Sequence, residues 1–162
     1  MSKPSDYQTL LRELTEGGVE FIVVGALAAV LQGAPIVTFD LDILRRRTPE
    51  NVARLLGVLA HLQAVARGDR RRISPNASHL AGPGHLLLET SAGDLDVLGT
   101  IEEATGFDDL VDDTIEIDLA GVRVRVLELS RVIRAKEHAG RPKDLAVLPV
   151  LRATLEQIKK HR

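Results

Sequence analysis

Residues 21–44 read FIVVGALAAVLQGAPIVTFDLDIL, and this stretch narrows the possible folds more than any other in the chain. Phe21 to Val24 is a short apolar run rich in β-branched residues, the pattern of a buried strand. At Gly25 the pattern changes to the Ala-rich GALAAVLQG, which favours a helix ending near Gly33, with Pro35 beyond the stop. A second strand is predicted from about Thr38 to Leu44. On it Asp40 and Asp42 are two apart and share a face, while Phe39, Leu41 and Ile43 take the other face and are assigned to the core. Two carboxylates projecting together repel each other. A divalent cation would remove that cost, and hard oxygen ligands suit Mg²⁺ or Mn²⁺. A solvated strand edge is the plainer alternative. The junction at Gly25 suits phosphate for a separate reason: unpaired N–H groups at a helix start favour an anion, and Gly admits it close to the backbone.

The flanking chain supplies helices and hairpins. Asp6 to Glu16 is predicted helical, opened by a Ser5/Gln8 capping box, stopped by Gly17-Gly18 and striped with Leu10, Leu11 and Leu14. Thr48 and Pro49 are the N-cap and first residue of another helix, with Val52, Leu55, Leu56, Leu59 and Leu62 at helical spacing. Residues 67–84 carry few signals of regular structure and hold Arg67, Arg70, Arg71 and Arg72. Two period-two segments then read as hairpins, turning at Ala92-Gly93 and at Ala120-Gly121. The second turn sets Asp118 opposite Arg123, Glu116 opposite Arg125 and Ile117 opposite Val124, all compatible pairs. The first sets Glu89 opposite Asp96, a like-charge pair that needs compensation by a cation, a register slip or solvent. Asp96 lies between Leu95 and Val97, in the same apolar-acid-apolar setting as Asp42. The tail is helical: Ser130 is a candidate cap for a helix ending at Gly140, and Pro142 starts a last helix that Pro149 is expected to kink or divide.

Composition closes other routes. The chain has 162 residues, no Cys, one Tyr, three Phe and a net charge of −2. One domain over 1–162 is expected, with a core over about 5–128 and a helical segment over about 129–162. Without Cys there are no disulfides, thiolate zinc sites or Cys nucleophiles. Few aromatics argue against a base-stacking platform. No secretory signal or unbroken apolar span is legible, so a cytoplasmic protein with no membrane partner is expected.

Taken together, Gly25-Ala26, Asp40-Leu41-Asp42 and Asp96 resemble the nucleotidyltransferase superfamily of polymerase β-like fold. The string 21–44 is similar to a small bacterial branch, the AbiEii-like and MenT-like toxin nucleotidyltransferases. The tail VLELSRVIRAKEHAGRPKDLAVL is similar to that branch's closing segment, a helix Lys followed by an Arg-x-Lys-Asp turn, here Lys136, Arg141, Lys143 and Asp144. The resemblance covers most of residues 19–148. It implies an α+β fold, a small mixed sheet with packed helices and a helical C-terminal segment. It implies that Asp40, Asp42 and Asp96 are catalytic and hold Mg²⁺ or Mn²⁺. Gly25 and Ala26 would cradle the triphosphate, and Lys136 would add a point charge to it, a surface Lys being the alternative. Asp144 is expected to cap or pair in the first turn of the last helix. Ala26 departs from the Ser or Gly found in many relatives and loses a hydroxyl.

The expected activity is metal-dependent transfer of a nucleoside monophosphate from an NTP, such as ATP, to a hydroxyl of RNA (such as tRNA) or protein, in a toxin–antitoxin setting with a cognate partner. Small molecules such as aminoglycosides are a lesser acceptor class. Alternatives are a non-catalytic nucleotide-binding module and an antitoxin-like partner-binding module, the latter requiring an apolar patch such as Leu145, Leu148 and Leu151. Arg45 to Arg47 and Arg70 to Arg72 are read either as RNA-phosphate contacts or as solvated loop charge. His79 and His85 stand near the expected site without an assigned role.

Overall fold

The computed structural model describes residues 4–161. At its centre β1 (Phe21–Val24) is buried along its length and pairs on one side with β2 (Asp42–Arg45) and on the other with β7 (Val122–Leu127). The full sheet has seven strands in the order β3-β4-β5-β2-β1-β7-β6, with β3 (Val65–Ala66), β4 (Leu86–Thr90), β5 (Gly93–Leu98) and β6 (Thr114–Leu119) completing it. It is mixed: β1–β7 and β2–β5 are parallel and the other pairs antiparallel. The tight turns between β4 and β5 and between β6 and β7 require antiparallel pairing, whereas β1–β7 and β2–β5 pair strands far apart in the chain. The fold is therefore α+β, as the sequence predicts.

Helices cover the sheet. α1 (Tyr7–Glu16) buries Leu10, Leu11 and Leu14 and packs on β7 and α3 (Pro49–His61). α2 (Gly25–Leu31) buries Leu27, Ala28 and Ala29 and meets α6 (Leu129–Ala139), which in turn packs on α7 (Pro142–Lys160). Two short helices, α4 (Ala77–Ala81) and α5 (Phe107–Leu110), lie in the connections. Thr48 caps α3 by accepting from the Asn51 amide, with Pro49 opening the helix. Asn51 is buried because its amide is fully used: it bonds both backbone groups of Glu20 and the Arg46 carbonyl, clamping the ends of β1 and β2 together. Among the described residues no helix is long and apolar enough to cross a membrane.

Several expectations need correction. β2 begins at Asp42, not Thr38, because Ser5 takes up the backbone before it. The Ser5 amide donates to the Phe39 carbonyl, and the Ser5 hydroxyl accepts from the Leu41 amide and donates to the Asp94 carbonyl. Asp40 consequently precedes the strand, and Phe39 is 66% exposed, whereas Leu41 and Ile43 are buried as expected. With Ser5 so occupied, the cap of α1 is Asp6, whose carboxylate accepts from the Thr9 amide. The β4–β5 turn is Ser91-Ala92, one residue earlier than predicted. Asp96 therefore faces Leu87, and Glu89 faces Asp94. The β6–β7 register matches the prediction at every pair. α6 starts one residue ahead of Ser130, after Glu128, and ends at Gly140 in the left-handed conformation. α7 continues undivided through Pro149. Leu148 and Leu151 belong to the core, which leaves Leu145 exposed without the patch expected around it.

Candidate active site

A cleft of about 400 Å³ opens where the start of α2, the segment before β2 and the α6–α7 corner meet. It gathers Gly25, Ala26, Asp40, Asp42 and Lys136 from the residues singled out in the sequence, together with Asp144. Gly25 is required on two counts. Its φ is +69°, and a Cβ there would lie 2.5 Å from Asp42 Oδ2. The glycine turn and the acidic strand are thus one feature, the missing side chain leaving room for the carboxylate. Gln32, at the end of α2, donates to the Leu127 carbonyl and accepts from the Leu129 amide, tying α2 to the start of α6 and so to Lys136.

Asp42 and Asp96 are register partners on the parallel strands β2 and β5. Burial pushes Asp42 up to about 7, with help from a hydrogen bond to Asp96 and the charges of Asp96 and Asp40, while Lys136 pulls the other way. Asp42 Oδ1 is buried without a hydrogen-bond partner. An orphaned carboxylate oxygen beside a second acid suits a hard divalent cation, so the residues present fit Mg²⁺ or Mn²⁺. The acids do not form a finished ligand set: among the described residues no three acidic or histidine side chains are drawn together as one. Asp40 lies at the exposed mouth, and Asp96 is engaged elsewhere. Arg67 Nη2 stands 2.5 Å from Asp96 Oδ1, and Arg67 Nε 3.3 Å from the Oδ2 of buried Asp94.

Across the cleft, Asp144 occupies the first turn of α7, as expected. Arg141 Nε is 2.6 Å from its Oδ2 and Lys136 Nζ 3.4 Å from its Oδ1. Burial pushes Asp144 up, but the Arg141 hydrogen bond and the charges of Lys136 and Arg141 outweigh it and hold it below the usual range.

Arg67 and Glu102 gave no sign of site membership in the sequence, and His85 was read only as standing near the expected site. Arg67 reads as loop charge, and only the β4–β5 hairpin brings Asp96, 29 residues later, beneath it. Glu102 lines the cleft with its side chain bound to Arg131 at 3.3 Å and its φ at +48°. His85 also lines the cleft, its Nε2 3.0 Å from the Thr100 carbonyl. His79 instead caps α4 with Asn76. At its first member the arginine run after the acidic strand is neither an RNA contact nor solvated charge. Arg45 is fully buried and donates to the carbonyls of Leu80, Val97, His79 and Gly82. Arg46 pairs with Glu20 and lies over the Phe107 ring.

No protein-family model matches the chain, and no curated protein matches it in sequence. Solved structures do match. A candidate nucleotidyltransferase (TM1012) from Thermotoga maritima superposes with a TM-score of 0.57 at 17% identity, over 96% of this chain and 91% of that one. The antibiotic-resistance factor ANT(2'')-Ia, in its complex with adenylyl-2''-tobramycin, gives 0.62 at 15% identity, over 94% and 89%. Its solution structure gives 0.61 at 14%, over 92% and 82%. The fold is that of nucleotidyltransferases. In this nucleotidyltransferase fold the cleft stands beside the junction of β1, α2 and β2, and identities this low establish the architecture alone.

Proposed function

We propose that the chain is a metal-dependent nucleotidyltransferase that moves a nucleoside monophosphate from an NTP to a hydroxyl acceptor. The observation that carries the reading is Asp42: half-buried in the cleft, orphaned at one oxygen, paired in register with Asp96 and packed against a glycine where a Cβ would lie 2.5 Å from its Oδ2. Asp40, Asp42 and Asp96 would hold Mg²⁺ or Mn²⁺, which when bound neutralises charge on the phosphates and activates the attacking hydroxyl. Gly25 and Ala26 offer the backbone at the start of α2 to the triphosphate. Lys136, steered by Asp144, adds positive charge on the opposite wall. Asp96 is the carboxylate available to take the acceptor proton once it is released from Arg67.

RNA such as tRNA, or protein, is the acceptor class we favour, within a toxin–antitoxin pair of the AbiEii-like and MenT-like kind. An aminoglycoside is the second reading, favoured by the likeness to ANT(2'')-Ia bound to adenylyl-2''-tobramycin. The test is label transfer. The protein is incubated with each α-phosphate-labelled NTP and Mg²⁺, in separate arms with total RNA, cell protein and tobramycin, beside Asp40→Ala/Asp42→Ala. Label on one acceptor from the wild type alone, abolished by EDTA, is the expected result. Mg²⁺-dependent NTP binding without transfer in any arm would favour a non-catalytic nucleotide-binding module.

A further inference from the structure

The acid face of the sheet carries its own cation. Asp94 and Asp96 project from β5 on the same face, and β4 sets Glu89 directly opposite Asp94. Like charges so placed repel. Arg67 answers them: its guanidinium pairs with Asp96 at 2.5 Å and Asp94 at 3.3 Å, and donates to the Leu88 carbonyl at 2.8 Å. Arg72 stands 3.5 Å from Glu89. The Arg67 backbone is tethered separately, its amide donating to the Leu87 carbonyl. The side chain can therefore swing while the chain stays in place. Asp40 and Asp42 line the cleft and Asp96 does not.

We propose that Arg67 is an internal counter-ion that occupies Asp96 in the unloaded protein and must let go of it when a divalent cation binds. The inference rests on the reading of Asp96 as a cation ligand. A guanidinium is permanently charged and matches a carboxylate closely, so it competes for the same oxygens and repels an incoming cation. Arg67 thereby sets the cation concentration at which the site fills. It is a positioning residue, acting on the cation through Asp96.

The test is Mn²⁺ binding to the full chain by calorimetry, without nucleotide. Arg67→Met is compared with wild type. Because Arg67→Met also removes one of the contacts of buried Asp94, Arg67→Met/Asp94→Asn is compared with Asp94→Asn as well. Each comparison should show Mn²⁺ binding tighter by about fivefold or more, with Arg67→Lys close to wild type and Asp42→Asn losing the binding. Unchanged or weaker binding in both comparisons, with wild type still binding Mn²⁺, would overturn the counter-ion role and leave Arg67 a strut of the β3–β5 edge. Wild type failing to bind Mn²⁺, or Asp42→Asn binding it unimpaired, would overturn the counter-ion role together with the cation reading of this site.

Discussion

Asp42 and Asp144 face each other across the cleft, and their environments push them in opposite directions. Asp144 is 2% exposed, yet two cations reach its carboxylate and it stays ionised. Asp42 has no such partner. Burial and the neighbouring acids raise it to about 7 and leave one oxygen orphaned. The first is a satisfied ion cluster that fixes the α6–α7 corner. The second is a deficit of positive charge held open by the fold. Buried charge left uncompensated costs several kcal/mol, which is the physical ground for proposing Asp42 as a cation ligand.

The largest effect expected from breaking this contrast is on catalysis. Asp42→Asn should lower label transfer by about 100-fold or more, since it removes the carboxylate proposed to hold the cation, while the fold persists by circular dichroism. Retention of wild-type transfer would place the chemistry elsewhere. Next is Gly25→Ala, which puts a methyl into the space of Asp42 Oδ2 at a φ of +69°. A loss of about 1–3 kcal/mol in denaturant unfolding is expected, together with lost nucleotide binding.

The third prediction separates the two acids by pH, without added divalent cation. Asp42 is raised in the folded state, so its contribution to stability is present below the ordinary aspartate pKa and is lost as pH climbs through about 7. Asp144 is lowered, so its contribution is present above the ordinary value and is lost as pH falls through its depressed pKa. Asp42→Asn should therefore gain Tm relative to wild type at pH 8 compared with pH 5. Asp144→Asn should lose more at pH 7 than at pH 3. Parallel Tm profiles for the two variants would remove the contrast. The smallest effect is expected at the cleft's approach: Phe39→Ser, at a side chain 66% exposed, should change stability by less than about 0.5 kcal/mol. A larger loss would mean that Phe39 packs in a way its exposure denies.

What could be read from residue order was local or periodic. β1, the Thr48-Pro49 start of α3 and the β6–β7 register follow from neighbours a few positions apart, where turn chemistry and alternation suffice. Gly25, Asp40 and Asp42 were singled out by the glycine turn and the alternation around it, and Lys136 by the resemblance alone; these four line the cleft, whereas Asp96 does not. Errors arose where a distant segment claimed the same groups. Ser5 took the backbone of Phe39 and Leu41, so β2 starts late and Phe39 lies outside the core. Arg45 found four carbonyls with which to bury its charge. Leu148 and Leu151 met the core instead of a partner.

By itself, then, the sequence determined the α+β architecture, the glycine turn and the strand positions of Asp42 and Asp96. Whether each charge would be paired, exposed or left wanting was decided only by the tertiary structure. A carboxylate's state depends on the cations and dielectric within a few ångströms, and residues 29 or more positions apart supply them.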